Sequence, residues 1–91
     1  SLMLSIFINK EVTMAKQWEP VDKYLTKEIR KAMIDADVTF GQIGEGTERA
    51  WRYRINNPLR MTNGDYFYLC ARLHQDPSEL LSRAFKRRDE R

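Results

Sequence analysis

Ninety-one residues with 42% hydrophobic and 32% charged side chains make one small domain and argue against a disordered chain. A net charge of +3 permits nucleic-acid binding without requiring it, because attraction to phosphate depends on where the charge lies. A single cysteine, Cys70, and a single histidine, His74, exclude an intrachain disulfide and a Cys/His metal site, and no apolar run approaches the ~20 residues of a membrane span.

Residues 1–20 read as an arm and lead-in. The stretch L-M-L-S-I-F-I-N-K-E-V-T is β-branched and aromatic, and it fits either a leader without structure or a strand that pairs with its copy in a dimer. Trp18 is placed to pack on the flank of the domain that follows. A first helix is expected from Val21 or Asp22 to Asp35. There Tyr24, Leu25, Ile29, Ala32, Met33 and Ala36 recur at three- and four-residue steps, the stripe of an amphipathic helix. Lys23, Lys27, Glu28, Arg30, Lys31 and Asp35 are expected to cover its solvated face.

The most informative stretch runs from Val38 to Ile55, V-T-F-G-Q-I-G-E-G-T-E-R-A-W-R-Y-R-I. Thr39 with Gln42 three residues on is a capping-box pattern for a short second helix. Gly44 and Gly46 then break the run, since either takes positive φ at low cost. Thr47 restarts a third helix as its N-cap. Trp51 and Ile55 share one face of it, and Arg49, Arg52, Tyr53 and Asn56 fall elsewhere. After Asn57, Pro58 prevents continuation; Leu59 and Met61 are expected to plug the core beneath this loop. A fourth helix starts near Thr62, capped in the T-x-x-D pattern by Asp65, with Tyr66, Leu69, Cys70 and Leu73 inward and Phe67 and Tyr68 off the stripe. A fifth opens at Asp76, with Pro77 at its first position and Glu79 in its first turn. It buries Leu80, Leu81, Ala84 and Phe85. Residues 87–91 read as a basic, solvated tail.

In order and spacing these five segments resemble the phage repressor and Cro family, the xenobiotic-response-element family of helix-turn-helix proteins. T-F-G-Q-I-G is similar to the family's polar second helix, W-R-Y-R-I-N-N to its recognition helix and exit, R-M-T-N-G-D-Y-F-Y-L-C-A-R-L to its fourth helix, and D-P-S-E-L-L to the start of its fifth. The resemblance covers about residues 22–85. Between Gly44 and Thr47 the chain is shorter than the family pattern by most of a helical turn. The resemblance implies an all-α, five-helix lambda-repressor-like DNA-binding domain over residues 21–86, preceded by an extended arm.

Thr47 to Arg60 carries Arg49, Arg52, Arg54 and Arg60 against one acid, Glu48. The excess positive charge of the whole chain is thus matched within the one element the resemblance turns toward nucleic acid. By position, the resemblance puts Thr47 and Glu48 at a phosphate or base edge and Arg49 and Arg52 at guanine. It puts Tyr53 at a phosphate or thymine methyl, and Gln42, Asn56 and Arg60 on the backbone. Arg54 lies at the core-facing edge and is expected to extend outward along its stem. G-Q-I-G-E-G lacks the spacing and the preceding strand of a nucleotide loop, and no nucleophile, paired-carboxylate or metal set stands out. The expectation is therefore a sequence-specific transcriptional regulator in the cytoplasm, without enzyme activity or cofactor, binding double-stranded DNA as a homodimer and touching neither membrane nor small-molecule substrate. The competing expectation is an antitoxin-like or adaptor module that keeps the helix-turn-helix fold but binds protein.

Overall fold

The computed structural model describes residues 20–90, so the expected N-terminal arm and the place of Trp18 lie outside the described residues. The described chain is all-helical. It forms α1 (Asp22–Ala36), α2 (Glu48–Asn56), α3 (Asn63–Arg72) and α4 (Pro77–Asp89), with two single-turn 3-10 helices at Phe40–Gln42 and Pro58–Arg60.

The expected α1 stripe is the core stripe: Tyr24, Leu25, Ile29, Ala32 and Met33 are all buried. The helix stops at Asp37, which adopts the left-handed conformation with φ 56°. Its N–H reaches the Ile34 carbonyl, and the next N–H, from Val38, returns to Met33 at 2.9 Å. This is the Schellman closure that glycine normally supplies. The end of α3 repeats it at His74, φ 58°, where Gln75 N–H returns to the Cys70 carbonyl at 2.8 Å.

The second expected helix is reduced to the 3-10 turn Phe40–Gln42. Gly44, Glu45 and Gly46 have φ of 88°, 52° and 151°, and three successive positive values cannot belong to a right-handed helix. Too few residues precede them for a nucleated α-helical segment. The bounds expected for the third helix hold: Thr47 Oγ1 accepts from Ala50 N–H at 3.1 Å, and α2 follows. Thr62 and Asp76 cap α3 and α4 in the expected way, each accepting from a backbone N–H of the first turn.

The core gathers Ile29, Ile43, Trp51, Ile55, Leu69, Cys70, Leu73, Leu80 and Ala84. Four expectations are corrected around it. Leu59 is 60% exposed, and the buried residue of that loop is Pro58. Phe85 is 39% exposed, and the inward positions of α4 are Leu80, Ala84 and Arg88, each four apart. Arg88 carries enough aliphatic stem to occupy a core-edge site while its guanidinium sits over the Phe85 ring. The basic end, expected as a solvated tail, is exposed at Arg87, Asp89 and Glu90 but buried at Arg88, and it is not a separate tail, since α4 stays helical to Asp89. Glu28, expected in solvent, is buried between α1 and α4, with Arg87 Nε at 3.1 Å and Arg83 Nε at 3.8 Å from its carboxylate oxygens. Among the described residues, no helix is long and apolar enough to cross a membrane.

Candidate nucleic-acid interface

The entry to α2 is a clamp. Three consecutive carbonyls, those of Gln42, Ile43 and Gly44, each receive a side-chain donor from elsewhere in the fold. Arg72 Nη2 donates to Gln42 at 3.0 Å, the Tyr68 hydroxyl to Ile43 at 2.9 Å, and the Trp51 indole N–H to Gly44 at 2.6 Å. A longer helix would have used such carbonyls internally; a truncated one leaves them without partners. Tyr68, expected off the α3 stripe, is therefore half-buried, and its ring stacks on Trp51 at 6.1 Å between centroids. A Cβ added to Gly44 would lie 2.7 Å from the Tyr68 hydroxyl oxygen, so this position admits glycine on steric as well as conformational grounds.

Trp51 and Ile55, both fully buried, fix the rotation of α2 about its own axis. The far end is tied to α1, where Thr26 Oγ1 donates to the Ile55 carbonyl at 2.6 Å. With that face inward, Arg49, Arg52, Tyr53 and Asn56 stand at i, i+3, i+4 and i+7 on the solvent side, and all four are exposed. Thr47, Glu48, Gln42 and Arg60 are exposed as well.

Exposure does not mean that each group is unoccupied. The Thr47 hydroxyl oxygen accepts the cap bond. Gln42 Oε1 accepts from Thr39 N–H at 3.0 Å, leaving its amide NH2 to donate outward. Glu48 Oε1 accepts from Arg52 Nη2 at 3.0 Å. With both side chains more than half exposed, this i, i+4 pair contributes only ~0–1 kcal/mol, so a stronger partner can displace it. Arg49 makes no hydrogen bond or ion pair with the described residues. Arg60 sits on the second 3-10 turn, outside the α2 stripe.

Arg54 departs from expectation. It folds back instead of extending outward: its guanidinium lies 4.8 Å from the Trp51 ring centroid, and Nε is 3.5 Å from Asp65 Oδ2. The cation–π attraction and the ion pair withdraw this charge from the α2 surface. Arg52, by contrast, lies over Phe40, with 5.2 Å from guanidinium carbon to ring centroid, and Arg30 of α1 approaches the same ring at 5.9 Å. The sequence pattern did not single out Phe40 or Arg72, and it set Tyr68 apart only as lying off the α3 stripe, because each contact joins separate segments. The only local hint was an aromatic residue directly after the Thr39 cap.

No protein-family model, no curated protein and no solved structure matches the chain.

Proposed function

We propose that this protein is a sequence-specific DNA-binding transcriptional regulator of the repressor or Cro type, of the kind that phages and other mobile elements carry. On this reading the domain is a lambda-repressor-like fold whose second helix is cut to one 3-10 turn, with α2 entering the major groove. The single observation that carries it is the two-sidedness of α2: Trp51 and Ile55 are fully buried, and Arg49, Arg52, Tyr53 and Asn56 line the opposite, exposed side. Arginine offers guanine two parallel hydrogen bonds, and a capped helix of this length fits the groove. Gln42, Thr47 and Arg60 supply backbone contacts, and Glu48 exchanges its hold on Arg52 for a cytosine amino group. Binding is as a homodimer on a two-fold site with half-sites about one helical turn apart. The protein works in the cytoplasm, by binding and not by catalysis.

Selection of duplexes from a random pool tests this directly. A palindromic motif, bound with an affinity that falls steeply as salt rises, is the expected result. A pool that stays random after repeated rounds overturns it.

A protein-binding module is the second reading. It is favoured by the exposure of Ile34 and Phe67, 79% and 55%, and by the withdrawal of Arg54 from the surface. It predicts association with a protein partner that is nearly indifferent to salt.

A further inference from the structure

Arg52, Phe40 and Arg30 come from three different elements, α2, the first 3-10 turn and α1, and they meet at one aromatic ring. Both guanidinium carbons lie within 6 Å of the ring centroid, at 5.2 and 5.9 Å. Each cation is drawn to the ring, and two guanidinium groups that share one centroid are at most ~11 Å apart, about a Debye length, so they repel one another weakly. An anion placed beside them relieves that repulsion. Arg30 is exposed and makes no ion pair with the described residues, so its charge is available.

Phe40 itself is held. It is half-buried against the core, and the residues just after it are anchored through the Gln42 and Ile43 carbonyls by Arg72 and Tyr68. The ring therefore presents a surface fixed to the fold rather than to a mobile loop. An arginine laid on such a surface and steered by Glu48 at 3.0 Å loses less rotamer freedom when it docks.

We infer that Phe40 is a positioning residue: its ring aims Arg52 at a base edge and brings Arg30 alongside, where Arg30 takes a phosphate of the same duplex. This rests on the DNA-reading function proposed above. It extends that interface onto α1 and assigns Arg30 and Phe40 roles that the α2 stripe alone does not suggest.

The test uses the full chain and the duplex recovered by selection. Phe40→Leu keeps an apolar plug but removes the π face, and Phe40→Tyr keeps the ring. The expected result is that Phe40→Leu loses about ten-fold discrimination at one base pair, the pair at which Arg52→Ala also loses it, and lowers the salt slope no further than Arg30→Gln does. Phe40→Tyr reads like the parent, and adding Phe40→Leu to Arg52→Ala costs no further discrimination at that pair. Arg30→Gln leaves base preference intact and lowers the slope of log affinity against log salt by about one. Should Phe40→Leu fail to fold, Phe40→Met takes its place with the same expectation. A selective parent whose Phe40→Leu variant discriminates equally well overturns the platform alone, as does an unchanged salt slope for Arg30→Gln. A parent that prefers no duplex removes the DNA reading and the platform together.

Discussion

The indole N–H of Trp51 donates to the Gly44 carbonyl at 2.6 Å, tying the inner face of α2 to the turn that delivers it. One side chain thus fills the centre of the core and sets the angle at which α2 leaves the glycine turn. Trp51→Phe keeps most of the apolar volume but strands that carbonyl, so a loss of about 1–3 kcal/mol is expected. Trp51→Ala also empties a fully buried site, and about 3–5 kcal/mol is expected. Denaturant melts of both variants separate the two contributions; equal losses would show that the emptied volume adds nothing beyond the lost hydrogen bond.

Gly44→Ala tests the same turn from the other side. The added methyl meets the Tyr68 hydroxyl at 2.7 Å, and the backbone is already at φ 88°. Tyr68 must then release the Ile43 carbonyl. A destabilisation of about 1–3 kcal/mol is expected, and pairing the change with Tyr68→Phe should recover part of it, because the clash is with the hydroxyl. Additive losses in this double-mutant cycle would place the strain in the backbone alone.

Arg49→Ala and Arg52→Ala should leave thermal stability within about 0.5 kcal/mol of the parent, since both side chains are exposed. On a selected duplex each should cost roughly 1–3 kcal/mol of discrimination. A double variant that binds its site as well as the parent does would rule out α2 as the reading element.

Alkaline pH should weaken the fold through Tyr66 and Cys70. Burial raises the ionisation of both groups above its ordinary range, and the Asp76 carboxylate pushes in the same direction. Tyr66 is held neutral as a donor to the Pro77 carbonyl at 2.6 Å. Both shifts are upward, so the folded state keeps protons that the unfolded chain gives up. Their stabilising effect is fully present below the ordinary thiol and phenol values of about 8.5 and 10, and it is lost as pH rises beyond them. Urea midpoints measured from pH 7 to 11 should fall on the alkaline side, and Cys70→Ala with Tyr66→Phe should flatten the fall. An equally steep decline in that double variant would assign the effect to other groups.

Glu28→Gln removes a buried carboxylate held by Arg83 and Arg87. Its partners are more than 40% exposed and can turn to solvent, so the expected loss is about 1–2 kcal/mol, below that of a fully buried pair. Calorimetry checks the size. High salt should diminish the parent's advantage only in part, because the acid itself is shielded from solvent.

Local physics made much of this protein legible from sequence. The stripe of α1, the Thr47, Thr62 and Asp76 caps, and the inward pairing of Trp51 with Ile55 follow from spacing and from side chains that bond their own backbone. Both determinants act within a few residues, so a linear reading captures them. What happens at the second helix depended on the tertiary structure. The glycines announced a break, but only the donors Arg72, Tyr68 and Trp51, drawn from two later helices, make one 3-10 turn sufficient there. The same holds for charge. Sequence counts Arg52, Arg54, Arg87 and Arg88 alike, whereas the fold sends Arg54 to Asp65 and Trp51, Arg87 to Glu28 and Arg88 into the core edge. Arginine has a long stem and several donors, and where it points is decided by whichever acid or ring the packing brings within reach, often from dozens of residues away.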